Sequence, residues 1–367
     1  MGREARRSYD LDQIEIVPSR RTRSSKAVST AWQLDAYRFE IPLVTHPTDA
    51  VVSPASAVRV GKLGGLAVLN AEGLWARHAD ADGALDRIAE SAASDDPDAA
   101  VAMLQELHRA PIRDDLLTEA LRTIREAGVT VAARVSPQRA RELTPTLLAA
   151  GVEILVVQGT IISAEHVSTG EPLNLKDFIV SLEIPVVAGG VGDYRTAMHL
   201  MRTGAAGVIV GYGESSATTT DAVLGIGVPM ATAIVDAAAA RRDYLDETGG
   251  RYVHVIADGG IDHSGDLAKA IACGADAVML GEQLTDVADS PGRGLYWTSA
   301  AAHPSLPRSD VTGFGGPGAA DLETVLFGPA STANGVVNLF GALRRAMAKT
   351  GYSDLKEFQR VGLTVRS

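Results

Sequence analysis

The sequence has very little cysteine, few aromatic residues and no long apolar run. Cys273 is the only cysteine among 367 residues, which excludes a disulfide framework and a thiolate metal cluster and is consistent with a reducing cytoplasm. No apolar run approaches the roughly 20 residues needed to cross a bilayer. The net charge of −11 argues against broad binding to nucleic acids or membrane surfaces. No H-x-x-H or C-x-x-C pair occurs, so no metal site is expected.

Small aliphatic residues and glycine supply the core instead of aromatics. Hydrophobic residues make up 46% of the chain but aromatic residues only 5%, which is typical of layered α/β folds with buried parallel strands. A helix, a small-residue turn and a short β-branched run recur, as in "REAGVTVAARV", "LAAGVEILVVQG", "MRTGAAGVIVGYG" and "IACGADAVMLGE". We expect strands near residues 41–45, 66–70, 129–135, 153–157, 184–188, 207–210, 252–257 and 277–280.

Alternation of these strands with helices predicts a (β/α)8 TIM barrel, an α/β fold in one domain over residues 1–367. A doubly wound open sheet is the alternative topology. The basic segment in residues 1–38 is expected to form a solvated arm or an oligomer contact, with anion binding as the other interpretation. In a barrel, the active site lies at the carboxyl ends of the strands, and phosphate is often held after the last two strands.

A glycine-rich loop follows the sixth predicted strand at that rim. The segment reads "VIVGYGESSATTTDAVLGIGVP", an apolar strand followed by clustered hydroxyl groups and a second group of glycines. Such a loop suits a nucleotide beside a nucleophile, yet residues 205–230 contain no cysteine, histidine or lysine. The loop therefore indicates either an active site or a binding site that has lost its chemistry.

Several segments resemble the IMP dehydrogenase/GMP reductase family. "ADGGIDHSGDLAKAIACGADAVMLG" and "VGYGESSATTTDAVLGIGVP" are similar to its phosphate-binding half-barrel. "SYDLDQIEIVPSR" and "IPLVTHPTD" resemble its first strands, and "NLFGALRRAMAKTGYSDLKEF" resembles its closing helix. The usual regulatory CBS pair is missing, as in the short actinobacterial paralogues of this family. The resemblance implies closing helices in residues 336–367 and a mobile flap in residues 283–335.

The resemblance implies hydride transfer between NAD or NADP and C2 of a purine nucleotide such as IMP, GMP or XMP. It also implies a cytoplasmic homotetramer or octamer, and a monovalent cation on carbonyl groups of the strand-six loop. Family members form a covalent bond between a cysteine thiolate and the purine. Counting along the loop places Ser216 at a phosphate contact, Thr218 at the nucleophile and Thr220 at a proton-transfer position. Glu323 is a candidate for the reductase-type acid.

Thr218 is the main departure from the family pattern. An unassisted threonine hydroxyl is not ionised, so a nucleophilic Thr218 needs an adjacent base, and the loop offers only Glu214 and Asp221. Cys273 cannot replace the missing thiol, because it precedes the eighth strand at the opposite end of the barrel. We expect Cys273 to be a buried structural residue.

The resemblance also assigns the remaining candidate residues. Asp258 matches an aspartate that accepts the ribose hydroxyls. The other substrate candidates are Gly259, Gly260 and Gly281 for phosphate, Tyr296 beside it, and His46 and Thr48 for the base and sugar. Gln158 and Gly190 stand where the family has an aspartate and an asparagine on the cofactor side. Glu282 replaces a small hydroxyl residue, so it is expected to repel phosphate unless it turns away or pairs with Arg293.

Two functions remain open on these residues. The first is an oxidoreductase acting on a purine nucleotide, with Asp258 and Ser216 binding the substrate and Thr220 moving protons. The second is a catalytically silent barrel that binds a nucleotide or a partner enzyme. The departures at Thr218, Gln158 and the positions discussed above cluster in the expected site, which favours altered or lost chemistry. A different small phosphorylated substrate is a third, weaker interpretation.

Overall fold

The computed structural model describes residues 5–164, 172–288, 290–303, 309–313, 318 and 320–366. Its strands are β1 Ile14–Val17, β2 Trp32–Leu34, β3 Tyr37–Phe39, β4 Leu43–Thr45, β5 Val68–Asn70, β6 Ala132–Val135, β7 Ile154–Gln158, β8 Val186–Val191, β9 Gly207–Glu214, β10 His254–Gly259, β11 Ala277–Leu280, β12 Leu295–Tyr296, β13 Thr312–Gly313 and β14 Gly362–Val365. Its helices are α1 Pro54–Lys62, α2 Ala81–Ala92, α3 Ala99–Leu107, α4 Asp114–Glu126, α5 Ala140–Ala149, α6 Leu175–Val180, α7 Tyr194–Arg202, α8 Thr220–Leu224, α9 Met230–Thr248, α10 Ser264–Cys273, α11 Leu322–Phe327, α12 Leu339–Thr350 and α13 Leu355–Phe358.

Strands β4 to β11 form a closed parallel barrel. They pair in the order β4-β11-β10-β9-β8-β7-β6-β5. The two ends of this series meet at a parallel bridge between Val44 and Leu66. The Leu66 amide donates to the Leu43 carbonyl at 2.8 Å, and the Thr45 amide donates to the Leu66 carbonyl at 2.9 Å. The (β/α)8 prediction is therefore confirmed, and the open-sheet alternative is wrong.

Barrel strands extend further toward the rim than the sequence pattern indicated. β8 was expected to end near residue 188 but includes Gly189 and Gly190, and β9 runs to Glu214 instead of residue 210. Gly211 and Gly213 have φ values of 111° and 72°, so they bend the strand while its backbone pairing with β10 resumes at Glu214. Glycines that looked like a loop are therefore strand ends that curve over the rim.

The helices cover the barrel with their apolar faces. In α4, the buried residues are Leu117, Ala120, Leu121 and Ile124, which share one face at helical spacing. Cys273 ends α10 and is buried, and this burial raises the pKa of its thiol to about 12. Cys273 is therefore buried, as expected, and its raised pKa favours the protonated thiol at neutral pH.

The two ends of the chain pair with each other. β1 runs antiparallel to β14, with Ile14 opposite Val365. The segment expected to form a solvated arm is thus anchored, and Arg6 also binds Asp236 of α9 at 2.7 Å. Residues 336–366 contain α12 and α13, as expected, and then end in a strand.

The expected flap region, residues 283–335, contributes the β12–β13 hairpin and α11. Residues 289, 304–308, 314–317 and 319 of this range lie outside the described residues. Within the described part of the chain, no helix is long and apolar enough to cross a membrane.

Candidate active site

The carboxyl ends of the barrel strands surround a cleft. We call it the rim cleft; its walls include His46, Arg134, Gln158, Thr218, Thr220 and Asp258. These residues follow or end β4, β6, β7, β9 and β10, so the closed barrel gathers side chains that are far apart in the sequence. Five of them, all but Arg134, were candidate site residues on sequence grounds, and they occupy the rim where this fold holds its active sites.

Asp258 and Gln158 make a direct contact in this cleft. The Gln158 side-chain amide donates to Asp258 Oδ2 at 3.0 Å, and both side chains are buried. Burial raises the pKa of Asp258 well above its ordinary value, the nearby Glu214 carboxyl raises it further, and the Gln158 hydrogen bond opposes both. Gln158 Oε1 is buried without a hydrogen-bond partner. The pair therefore offers a ligand one unused acceptor and one carboxyl group.

His46 lies beside this pair as a neutral imidazole. Its Nε2 atom is 3.9 Å from Asp258 Oδ2, and its Nδ1 atom is buried without a partner. Burial lowers the pKa of His46 to about 4, and the Arg134 guanidinium lowers it in the same direction. At neutral pH the ring is therefore uncharged and has one nitrogen free to bond with a ligand.

Thr218 is held by its own loop. Its hydroxyl donates to the Gly213 carbonyl at 2.5 Å and lies 3.0 Å from the Ser215 hydroxyl. Its backbone also forms an antiparallel bridge with Ser309. Thr220 is buried at the first position of α8 and lines the same cleft. The loop thus presents two hydroxyl groups to the cleft but binds one of them to its own backbone.

Neither Glu214 at the end of β9 nor Asp221 in α8 is a hydrogen-bond partner of the Thr218 hydroxyl, which contacts Gly213 and Ser215. Glu214 Oε2 accepts the Tyr212 amide at 3.1 Å, while Oε1 is buried without a partner. Burial raises the pKa of Glu214 to about 7, and its bonds to backbone amides oppose this shift. Asp221 is exposed on α8. Among the described residues, the structure therefore provides Thr218 with no hydrogen-bonded base to activate it.

A second cavity adjoins the rim cleft and shares Asp258 with it. We call it the side pocket; its walls include Glu214, Asp258, Gly259, Gly281, Glu282 and Tyr296. A Cβ atom on Gly281 would lie 2.5 Å from the Tyr296 hydroxyl, so glycine is needed for this close packing. The tyrosine and two of the three glycines expected at a phosphate site are therefore together, whereas Gly260 does not line the pocket.

Glu282 turns toward Ser216. The Ser216 amide donates to Glu282 Oε2 at 3.1 Å, and the Ser216 hydroxyl donates to Oε1. Of the alternatives for Glu282, pairing with Arg293 does not occur, because Arg293 binds Asp86 of α2 at 2.8 Å. The carboxylate thus accepts hydrogen bonds from two uncharged donors of Ser216, which was the residue expected to contact a phosphate.

Three other candidate residues, Thr48, Gly190 and Glu323, do not line the rim cleft. The Thr48 hydroxyl donates to the Trp297 carbonyl at 2.6 Å. Glu323 is exposed in the first turn of α11 and lines neither cavity. The Gly190 amide donates to Gly159 at 3.1 Å and its carbonyl accepts from Ile162 at 3.1 Å, so its backbone is already paired.

Arg134 is the main residue that sequence reasoning missed. It is buried at the end of β6 and donates twice to the Gln158 carbonyl, at 3.1 and 2.7 Å. It also lies 3.5 Å from Glu72. A single charged residue inside the apolar run "VAARV" was the available signal, because a charge in a buried strand usually has a partner or a function.

The chain matches a family model described as "IMP dehydrogenase / GMP reductase domain" over residues 8–303. It is 66% identical to an "Uncharacterized oxidoreductase" of Mycolicibacterium smegmatis, covering 100% of this chain and 99% of the relative. It is 39% identical to the inosine-5′-monophosphate dehydrogenase of Aquifex aeolicus, over 42% of this chain and 30% of that enzyme. The crystal structure of an IMP dehydrogenase/GMP reductase-like protein from Corynebacterium glutamicum superposes with a TM-score of 0.94 at 55% identity, covering 100% of this chain and 96% of that one.

Proposed function

Because the chain belongs to the IMP dehydrogenase/GMP reductase family, we propose that it is an oxidoreductase that exchanges a hydride between NAD or NADP and C2 of a purine compound related to IMP, GMP or XMP. The observation that carries the proposal is the meeting of Gln158, Thr218 and Asp258 in one cleft at the carboxyl ends of the barrel strands. A fold hosts many reactions, so the assignment depends on these side chains and not on the barrel alone.

The cofactor side of the cleft fits a nicotinamide group in part. When bound, NAD or NADP supplies the ring that accepts or donates the hydride. Gln158 Oε1 is a buried acceptor without a partner, which suits a carboxamide or a ribose hydroxyl. Gly190 contributes no side chain, and a Cβ atom there would lie 2.0 Å from the Gly211 carbonyl oxygen. Gln158 is therefore the residue assigned to hold the cofactor.

The purine side is assigned to His46 and Asp258. The uncharged His46 ring has a free Nδ1 atom for an edge of the base, and Asp258 accepts hydroxyl groups of the sugar. Donors on the ligand stabilise the ionised carboxylate, and they therefore oppose the burial that raises the pKa of Asp258. In this proposal the two side chains orient the purine ring over Thr218.

Without a thiolate, the chemistry proceeds by a route that forms no bond between protein and purine. The Thr218 hydroxyl stays bound to the Gly213 carbonyl and supports the loop beneath the ring. In the oxidative direction, the oxygen that joins C2 comes from water. Thr220 is buried in the same cleft, where its hydroxyl is placed to hold that water, and the proton that the water loses passes to solvent while the hydride leaves to the nicotinamide.

A catalytically silent binding protein is the second candidate. The specific observation in its favour is the absence, among the described residues, of a base bonded to Thr218. An alcohol without such a base is not a nucleophile at neutral pH. On this alternative, the cleft binds a purine compound and regulates or scaffolds a partner enzyme.

A turnover assay with the variant Thr218→Cys tests the proposal. The reduced-nicotinamide absorbance is followed with IMP plus NAD, GMP plus NADPH and XMP plus NADPH, and with the corresponding nucleosides. The oxidoreductase proposal expects activity in the wild type and an increase of about tenfold or more in Thr218→Cys, since a thiolate is the stronger nucleophile. Thr219→Cys is the matched control, because Thr219 does not line the rim cleft.

Binding without turnover in the wild type would support the silent candidate instead. Three further parts belong to the proposal: a homotetramer or octamer and a monovalent cation bound to carbonyls after β9, both from family resemblance, and a cytoplasmic location, from the single cysteine. Mass measurement in solution checks the first, and the dependence of activity on K⁺ checks the last.

A further inference from the structure

We infer that the site takes a purine nucleoside without a 5′-phosphate, because Glu282 of the side pocket occupies the Ser216 donors that a phosphate would use. The inference rests on the proposed function, in that it names the substrate class of the same site. The inference concerns the 5′ end of the ligand's sugar, which would lie beyond Asp258 where the rim cleft meets the side pocket.

The contacts around Glu282 are those that usually hold a phosphate. The Ser216 amide and hydroxyl both donate to its carboxylate, and the Thr312 hydroxyl lies 2.8 Å from the Ser216 hydroxyl. Backbone amides and hydroxyl groups at a turn form a binding site for anions. Here the protein supplies its own anion, so the donors at Ser216 are already in use.

The charge in the side pocket also opposes a second anion. Glu214, Asp258 and Glu282 line it, and no Lys, Arg or His occurs among the described residues that do so. A phosphate dianion beside the Glu282 carboxylate would meet repulsion large enough to weaken binding by about tenfold or more. Arg293, the possible partner of Glu282 considered on sequence grounds, binds Asp86 instead.

An uncharged nucleoside meets none of this repulsion. With the base in the rim cleft and the sugar hydroxyls on Asp258, the 5′ end of the ligand is directed into the side pocket. A 5′-hydroxyl group there can donate to the Glu282 carboxylate, whereas a phosphate presents only acceptors to it. The same carboxylate thus rejects the nucleotide and recognises the nucleoside.

Calorimetry on three forms of the full-length protein tests the inference: the wild type, Glu282→Ser and Glu282→Gln. The ligands are inosine, guanosine and xanthosine, compared with IMP, GMP and XMP. We expect the wild type to bind at least one nucleoside about tenfold or more tightly than its nucleotide. Glu282→Ser removes the internal anion and frees the Ser216 donors, so this variant should prefer the nucleotide over the nucleoside. Glu282→Gln removes only the charge, so its preference for the nucleoside should be weaker than that of the wild type.

Glu90→Gln is the control, because Glu90 is exposed on α2 and lies outside both cavities. It should leave the preference unchanged. Wild-type binding of a nucleotide as tight as that of its nucleoside overturns the inference and leaves the proposed function standing. An unchanged preference in Glu282→Ser overturns it as well. If neither the wild type nor Glu282→Ser binds any of these compounds, the proposed function itself fails.

Discussion

Gln158 at the end of β7 donates a hydrogen bond of 3.0 Å to Asp258 of β10, across the mouth of the barrel. The two strands are not neighbours, because β8 and β9 lie between them in the sheet. The two residues are 100 positions apart in the sequence. A contact of this kind closes the base of the rim cleft, and any ligand that binds Asp258 must share it with Gln158.

The first prediction concerns the coupling of ligand binding to protonation of Asp258. Its pKa is raised in the free protein, and hydroxyl donors from a ligand favour the ionised form, so affinity should increase as the pH rises through the raised pKa. Asp258→Asn should weaken binding by about tenfold to a hundredfold and abolish this pH dependence. Calorimetry at about pH 5 and about pH 8 measures both effects.

Asp262→Asn provides the control for this experiment. Asp262 follows the same strand but lines neither cavity. Its substitution should leave the affinity and its pH dependence as they are. Equal pH dependence in Asp258→Asn and the wild type would show that another group titrates on binding.

The second prediction is that Glu214→Gln stabilises the protein only at higher pH. The pKa of Glu214 is raised from 4.5 to about 7 in the folded state. The folded protein therefore holds a proton that the unfolded chain releases, and this contribution is complete below about pH 4.5 and lost as the pH rises through about 7. Glutamine resembles the neutral acid at every pH.

The free energy of unfolding should therefore rise by up to about 3 kcal/mol in Glu214→Gln above about pH 7, and stay near the wild-type value at about pH 4.5. Urea denaturation across this pH range measures the difference. Glu90→Gln, an exposed change of the same kind, should show no such trend. Destabilisation of Glu214→Gln at high pH would mean that the carboxylate has a partner the structure does not show.

The third prediction concerns a buried ion pair at the opposite end of the barrel. Asp276 accepts hydrogen bonds from Arg241 at 2.8 Å and from Tyr252 at 2.9 Å, and Lys356 also donates to it. Its charged partners hold the pKa of Asp276 below its ordinary value in spite of burial. Asp276→Asn leaves the buried Arg241 charge uncompensated and should cost about 3–5 kcal/mol of unfolding free energy.

Chemical denaturation at neutral pH measures that loss. The control is Asp236→Asn, since Asp236 pairs at 2.7 Å with Arg6, whose side chain is largely exposed. An exposed pair contributes about 1 kcal/mol or less, so this variant should stay close to the wild type. Similar losses of unfolding free energy in Asp276→Asn and Asp236→Asn would show that burial does not determine how much an ion pair contributes to stability.

The fourth prediction is that Gly190→Ala destabilises the rim. The added Cβ atom would lie 2.0 Å from the Gly211 carbonyl oxygen, in a place where backbone must move to make room. Overpacking of this kind costs about 1–3 kcal/mol. Thermal unfolding compares it with Gly265→Ala on α10, where no atom lies within 4 Å of the added Cβ. Gly265→Ala should leave the stability unchanged or raise it slightly, because alanine has a higher helix propensity than glycine.

The barrel was largely predictable, because its signals are local. Short runs of Val, Ile and Leu, several of them after a helix-ending glycine, depend only on neighbouring residues, and they located each of β4 to β11 to within a few residues. The rim ends of β8 and β9 were not located. Their glycines are typical of turns, but here they remain in the strands because a neighbouring strand pairs with their backbone.

The sequence by itself also determined that the loop after β9 has no thiol at Thr218. Its alternation of strands and helices requires a barrel, and a barrel gathers the candidate residues at one rim. Only the tertiary structure decided that Glu282 turns to Ser216 instead of Arg293, and that Arg134 supports Gln158. These choices depend on the register and curvature of paired strands, which set distances of a few ångströms between residues far apart in the chain. No local pattern carries that information, because each contact is made by the closed barrel as a whole.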